Sequence, residues 1–161
     1  MDARLKSGWV TGKELRDYIE NELDMVYASD PWKLNGGWGP RASGLSFEFK
    51  ARAPKGRRVV SMKVRGEEVV DGGRYTISGC EREGEPMDVI CRHAGSHDAK
   101  IIGHSVHEAL LDYLKAHRTI APRRDGRERA VDLPQRVFSQ DAVLAGGDLE
   151  KAPTTPHGLP G

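Results

Sequence analysis

The stretch Asn35-Gly36-Gly37-Trp38-Gly39-Pro40-Arg41-Ala42-Ser43-Gly44-Leu45 comes nearest to chemistry by residue type and spacing. Glycines at 36, 37 and 39 let the main chain approach a ligand closely. Arg41 then stands at the mouth of a strand, where its planar fork of five donors fits an oxyanion. Arg41 is therefore the candidate anion contact, with Gly36, Gly37 and Trp38 lining the same pocket. Trp32 and Trp38 flank the loop, either as a flat apolar wall for a ligand or as pins that hold the loop to the domain. Asp88, in Glu85-Pro86-Met87-Asp88, either orients a ligand hydroxyl or is a solvated loop carboxylate. The stretch contains no nucleophile, no acid/base pair and no metal cluster. No catalytic residue is assigned, and the arrangement reads as half of a site.

Other reactive side chains carry less. Gly103-His104-Ser105-Val106-His107 puts two imidazoles three residues apart, which can in principle share a metal on one helix face. His104 falls before the helix cap, however, and Glu108 is committed to capping, so no metal site is assigned. Of the two cysteines, Cys80 and Cys91, neither sits in a CxxC. They are either reduced, partly buried thiols or, in an oxidising compartment, a disulfide closing the loop Glu81 to Ile90. HExxH, Walker, GxSxG and GxGxxG motifs are all absent from the sequence.

These residues need a scaffold, and the chain length of 161 residues suits one domain with a real core. The net charge of +1 excludes a general nucleic-acid binder, which would be strongly basic. Apolar runs stay well short of the ~20 residues of a membrane span. The N-terminal residues lack the apolar centre of a signal peptide. That leaves a cytosolic protein or an internal piece of a longer exported one.

Thr11-Gly12-Lys13-Glu14 is a capping box, and Leu15, Tyr18, Ile19 and Leu23 follow at helical spacing. A helix is predicted from about Gly12 to Met25, ended by Asp30-Pro31. Ala28 to Pro40 is predicted as a long structured loop. Period-two alternation predicts strands at Leu45 to Phe49, Arg58 to Arg65 and Tyr75 to Ser78, separated by glycine-rich turns. Gly79 to Gly103 reads as irregular, with a short strand at Lys100 to Ile102. A second capping box, Ser105-Val106-His107-Glu108, opens a helix that ends near His117. Arg127 to Asp132 is predicted as a final edge strand. The fold class is α+β: a mixed, mainly antiparallel sheet with two principal flanking helices. The domain is expected to occupy residues 1–138, and the Gly/Pro/Thr-rich residues 139–161 to form a disordered tail.

The order of these features resembles a known family. Trp9-Val10-Thr11-Gly12-Lys13-Glu14-Leu15, Asp30-Pro31-Trp32, Gly36-Gly37 with Arg41, Ser43-Gly44-Leu45, Gly56-Arg57-Arg58-Val59, Tyr75-Thr76-Ile77-Ser78-Gly79 and Tyr113-Leu114 together resemble the C-terminal domain of the 5′-nucleotidase family of dinuclear metallophosphoesterases. The Gly-Gly-x-x-x-Arg run is most similar to SoxB-type thiosulfohydrolases. The resemblance covers roughly Gly8 to Pro122.

It implies a partner: an N-terminal domain of the same protein that holds two divalent metal ions, manganese or zinc, and activates water between them. This chain has no counterpart of that domain's DxH or GNH[DE] motifs, so it is expected to be inactive alone. Its implied role is to bind an anionic small-molecule or carrier-protein-linked substrate. The relatives' base-clamping aromatics are replaced here: one position reads Ala42, and the loop around Asp88 lacks the family's glycines and aromatic. By the same resemblance the parent protein is periplasmic or otherwise extracytoplasmic. The alternative is a non-catalytic interaction module that binds a protein through the Trp32 to Arg41 loop.

Overall fold

The computed structural model describes residues 3–35, 41–121 and 125–133. The chain starts with strand β1 (Arg4–Thr11), which runs directly into helix α1 (Gly12–Tyr27). A 3-10 turn (Pro31–Lys33) precedes β2 (Leu45–Phe49), β3 (Val59–Val64), the two-residue β4 (Glu67–Glu68) and β5 (Arg74–Cys80). Then come β6 (His97–Ser105), α2 (Val106–His117) and β7 (Glu128–Ala130).

The strands form two sheets. In one, β1 lies between β5 and β6 and is antiparallel to both. The other has the order β4-β3-β2-β7, antiparallel except that β7 runs parallel to β2. The expected edge strand at Arg127 to Asp132 is present, shortened to Glu128–Ala130.

Helix α1 forms as its cap specifies. The Thr11 hydroxyl accepts from Glu14 N–H, and the Glu14 carboxylate accepts from Thr11 N–H. Leu15, Ile19 and Leu23 make one buried stripe, which packs with Val10, Phe47, Phe49 and Met62 into the core. At this spacing the stripe faces one direction along the helix. Polar residues on α1 then tie it to the second sheet. Glu20, itself buried, accepts from Val59 N–H at 2.7 Å and Gly56 N–H at 2.8 Å. Asp24 pairs with the buried Arg58 at 2.8 Å.

Besides the two-residue β4, which falls where only a turn is expected, two elements depart from the sequence reading. Strand β1 is absent from it, although it is the centre of its sheet. Its inward positions are Lys6, Gly8 and Val10, so only one of three carries the apolar signature of a strand. Lys6 is 0 % exposed, and its Nζ donates to Pro86 O at 2.9 Å and Val89 O at 3.3 Å. Strand β6 extends over His97–Ser105 rather than the short Lys100 to Ile102 segment, because pairing to β1 supplies what its polar sequence does not.

Helix α2 has its predicted capping box at Ser105 and Glu108, yet none of its residues is buried. Leu110, Leu111, Tyr113 and Leu114 are all exposed. No helix of the described residues is long and apolar enough to cross a membrane.

Candidate functional site: the Arg41 cleft

Arg41 enters the structure just before the Ser43-Gly44 turn that starts β2. Gly44 has φ +79°, a left-handed conformation that glycine adopts without strain. Opposite it stands Arg65. Leu45 pairs with Val64, and Arg65 N–H donates to Gly44 O at 2.7 Å. Val64 and Glu67 then pair across a two-residue turn, Arg65-Gly66, with φ +53° and +90°. Two positive φ values in a row give the type I′ hairpin turn that matches strand twist. The β2–β3 register thus brings two arginines, 24 positions apart in sequence, to one end of the sheet.

Between this end and edge strand β5 lies a cleft of about 430 Å³, lined by Arg41 to Leu45, Val64, Arg65, Tyr75 to Ser78 and Leu15. Its inner side is apolar: Leu45, Val64, Tyr75 and Ile77 pack against the core. The Tyr75 hydroxyl is engaged as acceptor from Val70 N–H at 2.9 Å. Ser78 Oγ donates to Ser7 Oγ at 3.1 Å. Among the described residues neither Arg41 nor Arg65 is in a salt bridge.

Glu128, from β7, modulates this charge. Burial raises its carboxyl above the ordinary value, with Arg41 and then Arg127 pulling the other way. Its Oε1 is buried without a hydrogen-bond partner among the described residues. Arg127 in turn donates to Ala42 O at 3.1 Å, which fastens the segment next to Arg41. An apolar floor with a rim of guanidinium groups suits an anionic ligand with a hydrophobic or neutral portion.

The predicted site residues are only partly brought together. Arg41 lines the cleft with Ala42, Ser43 and Gly44, whereas Gly36, Gly37 and Trp38 lie outside the described residues. Asp88 does not line it. The Asp88 carboxylate accepts from Gly95 N–H at 3.2 Å and its carbonyl from Ser96 N–H at 2.9 Å, which staples its own loop. Trp32 is 95 % exposed on the 3-10 turn and is no wall of this cleft.

Arg65 and Tyr75 escape the sequence reading. Arg65 has a signal: it precedes a turn glycine and falls opposite Gly44 once the hairpin is registered through Leu45 and Val64. Among the described residues there is no cluster of three or more His, Cys, Asp or Glu placed to hold a metal ion. His104 is the next-to-last residue of β6 and His107 lies in the first turn of α2.

The comparisons with known proteins bear on the same elements. The 5′-nucleotidase C-terminal domain family matches residues 2–79, from β1 into β5. No curated protein matches the sequence. Among solved structures, the sulfate thiohydrolase SoxB of Thermus thermophilus is similar with a TM-score of 0.66 and 21% identity, over 84% of this chain and 24% of that one. A 5′-nucleotidase precursor, also from Thermus thermophilus, gives a TM-score of 0.64 and 22% identity, over 83% of this chain and 26% of that one. A putative 5′-nucleotidase from Staphylococcus aureus gives 0.57 and 19%, over 81% and 28%. The fold is shared with all three, and the chain spans about a quarter of the length of each.

Proposed function

We propose, from the match of residues 2–79 to the 5′-nucleotidase C-terminal domain family, that this chain is the substrate-binding domain of a metal-dependent hydrolase of the 5′-nucleotidase/SoxB type. It supplies an anion-binding half-site and does no chemistry by itself. The observation that carries this reading is the cleft in which Arg41 and Arg65 face the same space above an apolar floor.

In the full-length protein an N-terminal domain would hold two divalent metal ions, and these would supply the activated water. This domain's residues would bind and orient. Arg41 and Arg65 hold the anionic group, and Leu45, Tyr75 and Ile77 exclude water from the side facing the core. The ligand is a nucleotide or a sulfur conjugate borne on a carrier cysteine. Ala42 and the loop at Asp88 lack the aromatics that would sandwich a base, which favours the sulfur conjugate. The Thermus relative described as a precursor supports an extracytoplasmic parent.

An amide-resolved NMR titration of the chain tests this with sulfate, phosphate, AMP and a short peptide bearing a cysteine S-thiosulfonate. Saturable shifts at Arg41 to Leu45, Arg65 and Tyr75 to Ser78 support the half-site, and the ligand that produces them selects the branch. Absence of localised shifts with all four ligands overturns the half-site.

A second reading, a non-catalytic protein-interaction module, is favoured by Trp32, a large apolar side chain left 95 % exposed on the loop in question. Loss of partner binding on Trp32→Ala, with anion titrations unchanged, would select it.

A further inference from the structure

Cys91 and Arg92 form a tight turn with an unusual backbone. Ile90 and His93 exchange both main-chain hydrogen bonds, each at 2.9 Å, around these two residues. Cys91 has φ +50° and Arg92 φ +73°, the type I′ geometry normally given to Asn-Gly. Two consecutive non-glycine residues in the left-handed region are costly and persist only where the surroundings impose them. Arg92 is anchored outward on the buried Glu22, at 2.5 Å.

What the turn achieves is the placement of Cys91. Its N–H donates to Cys80 O at 3.3 Å, across from the end of β5. A Cβ added at Gly79 would lie 2.8 Å from Cys91 Cβ, so the turn is laid directly onto that strand end. Both cysteines are free thiols, Cys91 exposed and Cys80 half-buried.

We propose that Cys80 and Cys91 are a redox pair that closes into an intramolecular disulfide, locking the loop Glu81 to Ile90 over the buried Lys6. The loop carries Pro86 O and Val89 O, the two acceptors of Lys6 Nζ. The oxidant is a low-molecular-weight disulfide, R–S–S–R. One cysteine loses its proton, and the thiolate attacks a sulfur of R–S–S–R and expels RS⁻, which takes up that proton. The second cysteine, deprotonated in turn, displaces the remaining RS⁻ from the mixed disulfide. Two cysteine thiols lose two protons and two electrons, and R–S–S–R is reduced to two RSH.

Although Cys91 is exposed as a residue, loss of hydration around its sulfur where the turn meets β5, and next the Cys80 thiol beside it, push the thiol above its ordinary value. Closure is therefore slow at neutral pH and accelerates as pH rises.

The test uses the whole chain exposed to excess oxidised glutathione. Trypsin, cutting after Arg74, Arg82 and Arg92, separates the two cysteines onto different peptides. The expected product is monomeric, lighter by two hydrogens, resistant to iodoacetamide, and yields one peptide pair joined through Cys80 and Cys91. Its melting temperature rises by about 5–10 °C and returns on reduction. Cys80→Ser and Cys91→Ser each lack that rise. Stable glutathione adducts, cross-linked dimers, or a linked product that melts no higher than the reduced chain would overturn the proposal. The peptide map of the native sequence stands even if a variant fails to fold.

Discussion

Nε2 of His97 lies 3.0 Å from one carboxylate oxygen of Glu14 and 3.2 Å from the other, which joins the first turn of α1 to the start of β6. The same carboxylate caps α1 by accepting from Thr11 N–H at 2.7 Å. One side chain thus completes a helix and holds it to the sheet. His97 is fixed in turn by stacking on Trp9, centroid to centroid 4.1 Å, while Arg74 covers the same indole at 3.8 Å.

This arrangement predicts an acid dependence. The Thr11 N–H first, then His97 and the Thr11 hydroxyl, hold the Glu14 carboxyl at about 2, against an ordinary 4.5. A depressed carboxyl stabilises the fold above its unfolded value and loses that contribution as pH falls toward its folded value. Glu14 should therefore cost the protein stability from about pH 4.5 down to about pH 2. Denaturant melts at stepped pH should show a shallower acid slope in Glu14→Gln than in the native chain. Equal slopes would remove Glu14 from the linkage.

Gly12 is required for space. A Cβ there would sit 2.1 Å from Val70 O, and Gly12 N–H donates to Gly73 O at 3.0 Å. Gly12→Ala should lower stability by about 1–3 kcal/mol or more, because the Val69–Gly73 turn must move off the helix start. Gly72→Ala, where nothing lies within 4 Å, is the control and should change little. Urea melts compare the two, and equal losses would sink the steric argument.

Lys6 should behave as a buried structural cation. Lys6→Met keeps most of the volume but leaves Pro86 O and Val89 O without their donor and Glu81 without one of its cations. A loss of about 1–3 kcal/mol is expected. Amide exchange should speed up most in residues 81–90 if the effect lies in that loop. Uniform acceleration across the chain would show a global effect instead.

Arg41→Ala should weaken anion binding tenfold or more, since a hydrogen bond to a charged group is worth about 1.5–3 kcal/mol. Arg41 is exposed and makes no ion pair among the described residues, so stability should change by less than about 0.5 kcal/mol. Arg65→Ala should weaken the same ligand. Titrations followed by NMR, with melts of each variant, separate binding from folding. A large melting loss in Arg41→Ala would make it a structural residue.

Local chemistry was written plainly in the sequence. Two capping boxes, at Thr11–Glu14 and Ser105–Glu108, and the stripe of Leu15, Ile19 and Leu23 determined where both helices begin and which face of α1 is buried. Alternation determined β2, whose inward Leu45, Phe47 and Phe49 fall at every second position, whereas in β3 it holds only for Met62 and Val64, because a bulge turns Val59 to the core and leaves Val60 exposed. Arg41 could be singled out because its glycine-rich approach and strand-mouth position are local features.

Only the tertiary structure decided the rest. Strand β1 became the centre of a sheet although Lys6 and Gly8 occupy two of its three inward positions. Its lysine is satisfied by carbonyls eighty residues away, which no periodicity reveals. Helix α2 carries an apolar stripe that the described residues leave uncovered, since amphipathicity specifies a face and not what meets it. The cleft owes its second arginine to hairpin register, and its far wall to an edge strand from the other sheet. Sequence spacing sets which side chains share an element, whereas a site made of four elements depends on how the elements pack.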